Sequence, residues 1–152
     1  MLDIFVDADG CPVKDEIYRV AERCELKVTL VANAWLQVPN RDWIEFVLSD
    51  RELDAADDWI AEHVGEDDIV ITEDIPLASR CLKRNARVLS PRGRVFDESS
   101  IGEALASREL MSQLRELGSI TGGPAPMQRQ DRSTFLQRFE EIIQKVRRNQ
   151  RN

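Results

Sequence analysis

Six aspartates carry the chemistry this chain could do. Asp7 and Asp9 follow one apolar run, Asp54, Asp57 and Asp58 share a short stretch, and Asp74 stands just behind a second apolar run. Carboxylates so placed cap loops, hold a hard cation through oxygen, or act as nucleophile and acid/base. Pressing like charges together is costly unless a cation or a proton stands between them. Where such acids converge, the ion that suits carboxylate and water ligands is Mg²⁺ or Mn²⁺, not zinc. Other catalytic sets are poorly supplied. The single histidine, His63, makes neither a zinc site nor a catalytic dyad, and reads as a surface residue. Cys11, Cys24 and Cys81 show no CxxC spacing. Cys11, beside Pro12 at an expected helix start, is where a thiol pKa can fall. With no second histidine at hand, it reads as a small residue in a tight loop.

The elements that must position these acids follow from the apolar pattern. Residues 2–6 (LDIFV), 27–32 (KVTLVA), 44–48 (IEFVL), 69–72 (IVIT) and 86–89 (ARVL) read as strands. A helix is expected with Pro12 in its first turn, and with Val13, Ile17, Val20, Ala21 and Cys24 on one face. Further helices are expected from Leu53 to Val64, from Ile75 to Leu82, from the capping-box pattern Ser100–Glu103 to Gly118, and from Asp131 to 147, with a frayed tail beyond. The stretch 33–43 reads as a loop, with Trp35 and Trp43 as local packing. Residues 118–130, including Gly122-Gly123-Pro124, read as an irregular linker. Strands alternating with helices imply βαβ units and a mainly parallel sheet. Ligands of such sheets bind at the carboxyl ends of the strands, where Asp7 and Asp74 both fall. On the Leu53 helix, Asp57 borders the apolar stripe and points nearest the sheet, and Asp58 points into water.

Composition sets the frame. The 152 residues, 42% hydrophobic and 32% charged, suit a single domain, 1–152, and exclude wholesale disorder. No apolar run reaches the length of about 18 residues that a membrane helix needs. Acidic residues at the N-terminus exclude a basic leader, so a reduced, cytoplasmic protein is expected. The net charge is −7, which argues against a general nucleic-acid coat. The charge is segregated, however. Residues 128–152 carry three acids and seven Lys/Arg, and between Asp74 and Asp97 lie six bases and no acid. Lys14, Arg80 and Lys83, just after candidate site acids, and Arg92, in a Ser-Pro-Arg-Gly turn, are candidates to bind phosphates, with solvated surface charge as the alternative.

The stretches FVDADGCPVKDEI, LDAADDWI, DIVITEDIPLASRCL and VLSPRG, with ITGGPAP and DRSTFL, resemble the YaiI/YqxD family of uncharacterised bacterial proteins. That family in turn resembles the PIN-like nuclease fold, a three-layer α/β sandwich. There, acids at strand ends and on a helix bind divalent metal and cleave RNA. The resemblance implies that Asp7, Asp57 and Asp74 are metal ligands and catalytic residues, with Asp9 and Asp54 in the same pocket. It implies Mg²⁺ or Mn²⁺ as cofactor and RNA or another nucleic acid as partner. Thr72 is then placed to orient an acid or a water. Two other readings stay open. Asp7-x-Asp9 after a strand also resembles the opening of haloacid-dehalogenase-like phosphohydrolases, with Asp7 as nucleophile, Asp9 as acid/base, and Thr72 and Lys83 in the remaining roles. Alternatively, the chain is a non-catalytic module that binds nucleic acid or a partner through residues 80–94 and its basic last helix.

Overall fold

The computed structural model describes residues 2–50, 52, 54–121 and 125–151. Leu53, the expected start of one helix, and Gly122-Gly123-Pro124 of the linker lie outside them. In chain order the elements are β1 (Asp3–Asp7), α1 (Lys14–Cys24), β2 (Lys27–Ala32), β3 (Ile44–Leu48), α2 (Ala55–His63), β4 (Ile69–Ile71), α3 (Ile75–Leu82), β5 (Arg87–Leu89), β6 (Val95–Phe96), α4 (Glu98–Glu116) and α5 (Arg129–Arg151). The sheet order is β3-β2-β1-β4-β5-β6. All pairings are parallel except β5 with β6.

The sheet is apolar on both faces, as a parallel sheet covered by helices on both sides must be. Ile4, Val6, Val28, Leu30, Ile69 and Ile71 pack against α1 and α5, with Phe135, Phe139 and Ile143 of α5 buried. Phe5, Val31, Val70 and Val88 pack against α2 and α3, where Ile60, Leu77 and Ala78 are buried. The result is the three-layer α/β sandwich that a PIN-like arrangement requires. Leaving β1, the chain first builds outward through β2 and β3, then returns to place β4 on the other side. The carboxyl ends of β1 and β4 therefore flank the topological switch point, where open α/β sheets bind ligands.

Several details depart from the sequence reading. Pro12 precedes α1 instead of sitting in its first turn, and Val13 is the N-cap. The capping box of α4 is built by Asp97 and Ser100, so the helix begins before the Ser100–Glu103 pattern. Only Ala104 of α4 is buried, and Leu117, its C-cap, is 78% exposed. The second half of α4 is largely exposed, so its leucines have little to pack against. The α5 helix runs on to Arg151, through the tail expected to fray. Asp131 does cap it, from inside the first turn, by accepting the Gln128 backbone N–H at 2.9 Å. The two-residue strand β6 is too short to leave a pattern. It is held by a tight turn in which Gly93 takes φ +91°, and a Cβ there would lie 2.6 Å from Thr134 of α5. Glycine is required because the turn and helix approach so closely. No described helix is long and apolar enough to cross a membrane.

Candidate active site

Strand register brings the first two acids together. Val6 pairs with Ile71, so the next residues, Asp7 and Thr72, leave the sheet side by side. Thr72, 1% exposed, donates its hydroxyl to Asp7 Oδ2 at 2.8 Å. The same Oγ1 accepts the Asp74 backbone N–H at 3.0 Å. Asp74 is the N-cap of α3, its Oδ1 accepting the Leu77 N–H at 2.9 Å, with Pro76 in the first turn. Thr72 thus orients an acid, as its position suggested, and ties the two strand ends into one unit.

The third acid descends from the helix layer. Ala56 and Ile60 anchor α2 on the sheet, which leaves Asp57 half-buried toward the strand ends and Asp58 exposed. The Asp57 carboxyl lies close enough to Asp74 and Asp7 for their charges to act on it. Accordingly, Asp57 is pushed up to about 7, first by burial, then by the negative charges of Asp74 and Asp7, and also by Asp54. Asp7 is raised as well, chiefly by burial, with Thr72 opposing and Asp74 and Asp9 adding to the rise. Asp9 lines the same small cleft of about 60 Å³ as Asp7, Thr72 and Asp74. Its Oδ2 accepts the Asn33 N–H at 2.8 Å, so it also fastens the loop after β2. Asp54 is the exposed, left-handed N-cap of α2 and makes no capping bond. Glu73, which the sequence did not single out, also lines the cleft.

Carboxylate oxygens with an adjacent hydroxyl are donors of the kind a hard divalent cation takes. Among the described residues, however, no group of three or more His, Cys, Asp or Glu side chains is placed to hold one metal ion, so Asp7, Asp57 and Asp74 are not brought together as the three-ligand set that the resemblance implied.

The candidate bases separate into three cases. Arg80 borders the site but pairs with Asp58 at 2.7 Å. Arg92 bonds Asp131 at 3.1 Å, the Ala125 carbonyl, and Glu73 at 3.6 Å, so it ties the β5–β6 turn to the start of α5 beside the cleft. Lys83 is the C-cap of α3, about 13–14 Å from Asp74 along the helix axis. That position takes it out of the acidic site and removes the lysine from the phosphohydrolase reading. Lys14, the first residue of α1, is close enough to Cys11 to act on its thiol. Cys11 itself is buried and pushed up to about 11, mainly by burial, which makes it inert. His63 is exposed and stacks on Trp59 at 3.8 Å. Trp43 packs on the core as expected, but Trp35 does not, being 71% exposed.

A larger cavity, about 460 Å³, lies at the opposite edge of the sheet, lined among others by Asp67, Arg87, Phe96 and Lys145. Its Asp67 is already paired with Arg87 at 3.3 Å.

A doubly wound sheet with convergent acids at its switch point defines the class: a PIN-like α/β protein with an acidic strand-end site. Within that class the chain belongs to the YaiI/YqxD family described as an uncharacterised bacterial group, whose profile matches residues 5–145. It is 54% identical to a UPF0178 protein of Nitrobacter winogradskyi over 95% of this chain and 92% of that one. It is also 54% identical to one of Rhodospirillum centenum, covering 97% and 99% of the two chains. No solved structure matches it.

Proposed function

We propose that the protein is a divalent-metal-dependent hydrolase of phosphodiester bonds, with RNA as the substrate. The observation that carries this reading is the approach of Asp7, Asp57 and Asp74, from two strand ends and a helix, close enough for their charges to act on one another. Asp57 and Asp74 are the residues to hold Mg²⁺ or Mn²⁺, with Asp7 beside them. When bound, the ion supplies neutralisation of phosphate charge and an acidified water. The chain's own part is positional. Thr72 fixes the Asp7 carboxylate, and the Leu77 N–H fixes one oxygen of Asp74. Asp57, raised to about 7 by burial and by its acidic neighbours, would be deprotonated to serve as a ligand of such an ion.

The test is cleavage of labelled RNA and DNA oligonucleotides with added Mg²⁺ or Mn²⁺ and with chelator, Asp74→Asn serving as control. Metal-dependent cleavage by the wild type and none by the variant is expected. Metal binding with no turnover on any strand would replace this reading with that of a non-catalytic binding module.

A further inference from the structure

We propose that a groove beside the acidic cleft is a nucleobase-binding subsite that seats one base of a single strand, with the exposed Trp35, two residues before Gln37 of its wall, as a stacking platform. The groove has a volume of about 340 Å³ and is lined by Lys14, Asp15, Tyr18, Gln37, Val38 and Pro39. That volume falls within the range of small-ligand pockets. It adjoins the acids through the chain itself. Cys11 lines the acidic cleft, and Lys14, three residues on, lines the groove.

The wall chemistry selects the occupant. Leu36 and Val38 pack onto the core, which turns the alternate residues Trp35, Gln37 and Pro39 outward. Tyr18, half-buried, adds an aromatic ring that stays protonated, because burial and the Asp15 charge raise its pKa. An aromatic ring, a proline and a valine offer apolar faces to a flat ring. The Gln37 amide and the Tyr18 hydroxyl offer donors and acceptors to its edge. The Asp15 carboxylate repels a phosphate within the groove and accepts from exocyclic amino groups, which bases carry and phosphates lack. Among the described residues Lys14 makes no ion pair, and it stands on the side toward the cleft, where the backbone phosphate of a seated nucleotide would pass. A Trp left 71% exposed in a loop fastened to the site by Asp9 has a use here that packing does not give it. Stacking on aromatic side chains is how single strands are held without a sequence code. Duplex bases are already stacked on one another and cannot enter.

This subsite rests on the hydrolase reading only for what happens to the adjoining phosphate, so binding and cleavage are measured separately. Binding is read by fluorescence anisotropy at low ionic strength with chelator present, so that no strand is cut. The probes are deca-adenylate, an abasic strand with the same phosphates, and a duplex. Wild type is expected to bind deca-adenylate about tenfold more tightly than the abasic strand. Trp35→Ala should abolish that preference and leave abasic binding unchanged, and Gln37→Ala should reduce it in part. The proposal is overturned if wild type binds all three probes equally or binds none. It is also overturned if Trp35→Ala weakens abasic and normal strands alike, or weakens neither. Cleavage that persists with no preference for bases would sink the subsite and spare the hydrolase. A base preference lost in Trp35→Ala, with no cleavage under any metal, would do the reverse.

Discussion

The two ends of the sheet treat their aspartates in opposite ways. At the amino edge, Asp68 is buried and accepts the backbone N–H groups of Gly65 at 2.8 Å and Asp3 at 3.1 Å, and Asp67 faces Arg87. Each charge there has a donor, so those acids serve the fold. At the carboxyl edge, Asp7, Asp57 and Asp74 come from separate elements and act on one another's charge, with one hydroxyl and one helix N–H as partners of Asp7 and Asp74. Acids that stabilise a fold are supplied with donors. Acids held together against their own repulsion are the kind of arrangement that functional sites use.

The sharpest way to break this comparison is to neutralise one acid at each end. Asp7→Asn or Asp74→Asn should lower metal-dependent cleavage about a hundredfold or more while leaving the circular dichroism spectrum unchanged. Asp68→Ala should act on the fold instead. It strands two N–H groups, costs about 1–3 kcal/mol, and lowers the Tm in calorimetry by several degrees with activity per folded molecule preserved. Equal loss of activity from both would erase the distinction.

Asp57 offers a subtler test through pH. Its folded-state pKa lies near 7, above the ordinary 3.8, so the native protein keeps a proton that the unfolded chain has lost. Stability from this carboxyl is full below about pH 4 and drains away as pH rises toward 7. In chelator, Asp57→Asn should therefore gain on the wild type across that window. The gain should reach about 1 kcal/mol, or a few degrees of Tm, by pH 8, a figure reduced for the solvent around a half-buried group. A gap that stays constant from pH 4 to 8 would show that Asp57 does not hold the proton. The smallest effect belongs to its neighbour. Asp58 pairs with Arg80 at the surface, so Asp58→Asn should change stability by less than about 1 kcal/mol at any pH.

Much of this contrast was legible in the sequence, because hydrophobic periodicity and strand-end position are local signals. The β-branched runs closed by Asp7 and by Thr72-Glu73-Asp74 gave both the strands and the edge on which the acids lie, and helical phase separated Asp57 from Asp58. What stayed hidden depends on contacts between distant segments. Arg92 looked like a free base because its partners, Asp131 and the Ala125 carbonyl, come from the far end of the chain. Lys83 looked close to Asp74 because nine residues are few in sequence, but a helix turns them into a span across the domain. Trp35 looked like packing because an aromatic residue in a loop has no periodicity to reveal its direction. Strand β6 and the exposed half of α4 depend on where the sheet ends, which no local pattern records.

One measurement bears most directly on the convergent acids: thermal unfolding at pH 7.5 with and without Mn²⁺, in the wild type and in Asp74→Asn. An ion at about a hundred times its Kd adds about 2.7 kcal/mol to the native state, which in a domain of this size raises the Tm by roughly 5–10 °C. The wild type should show that rise and the variant should not, whereas an equal rise in both, or none in the wild type, would contradict a divalent-ion site at the switch point.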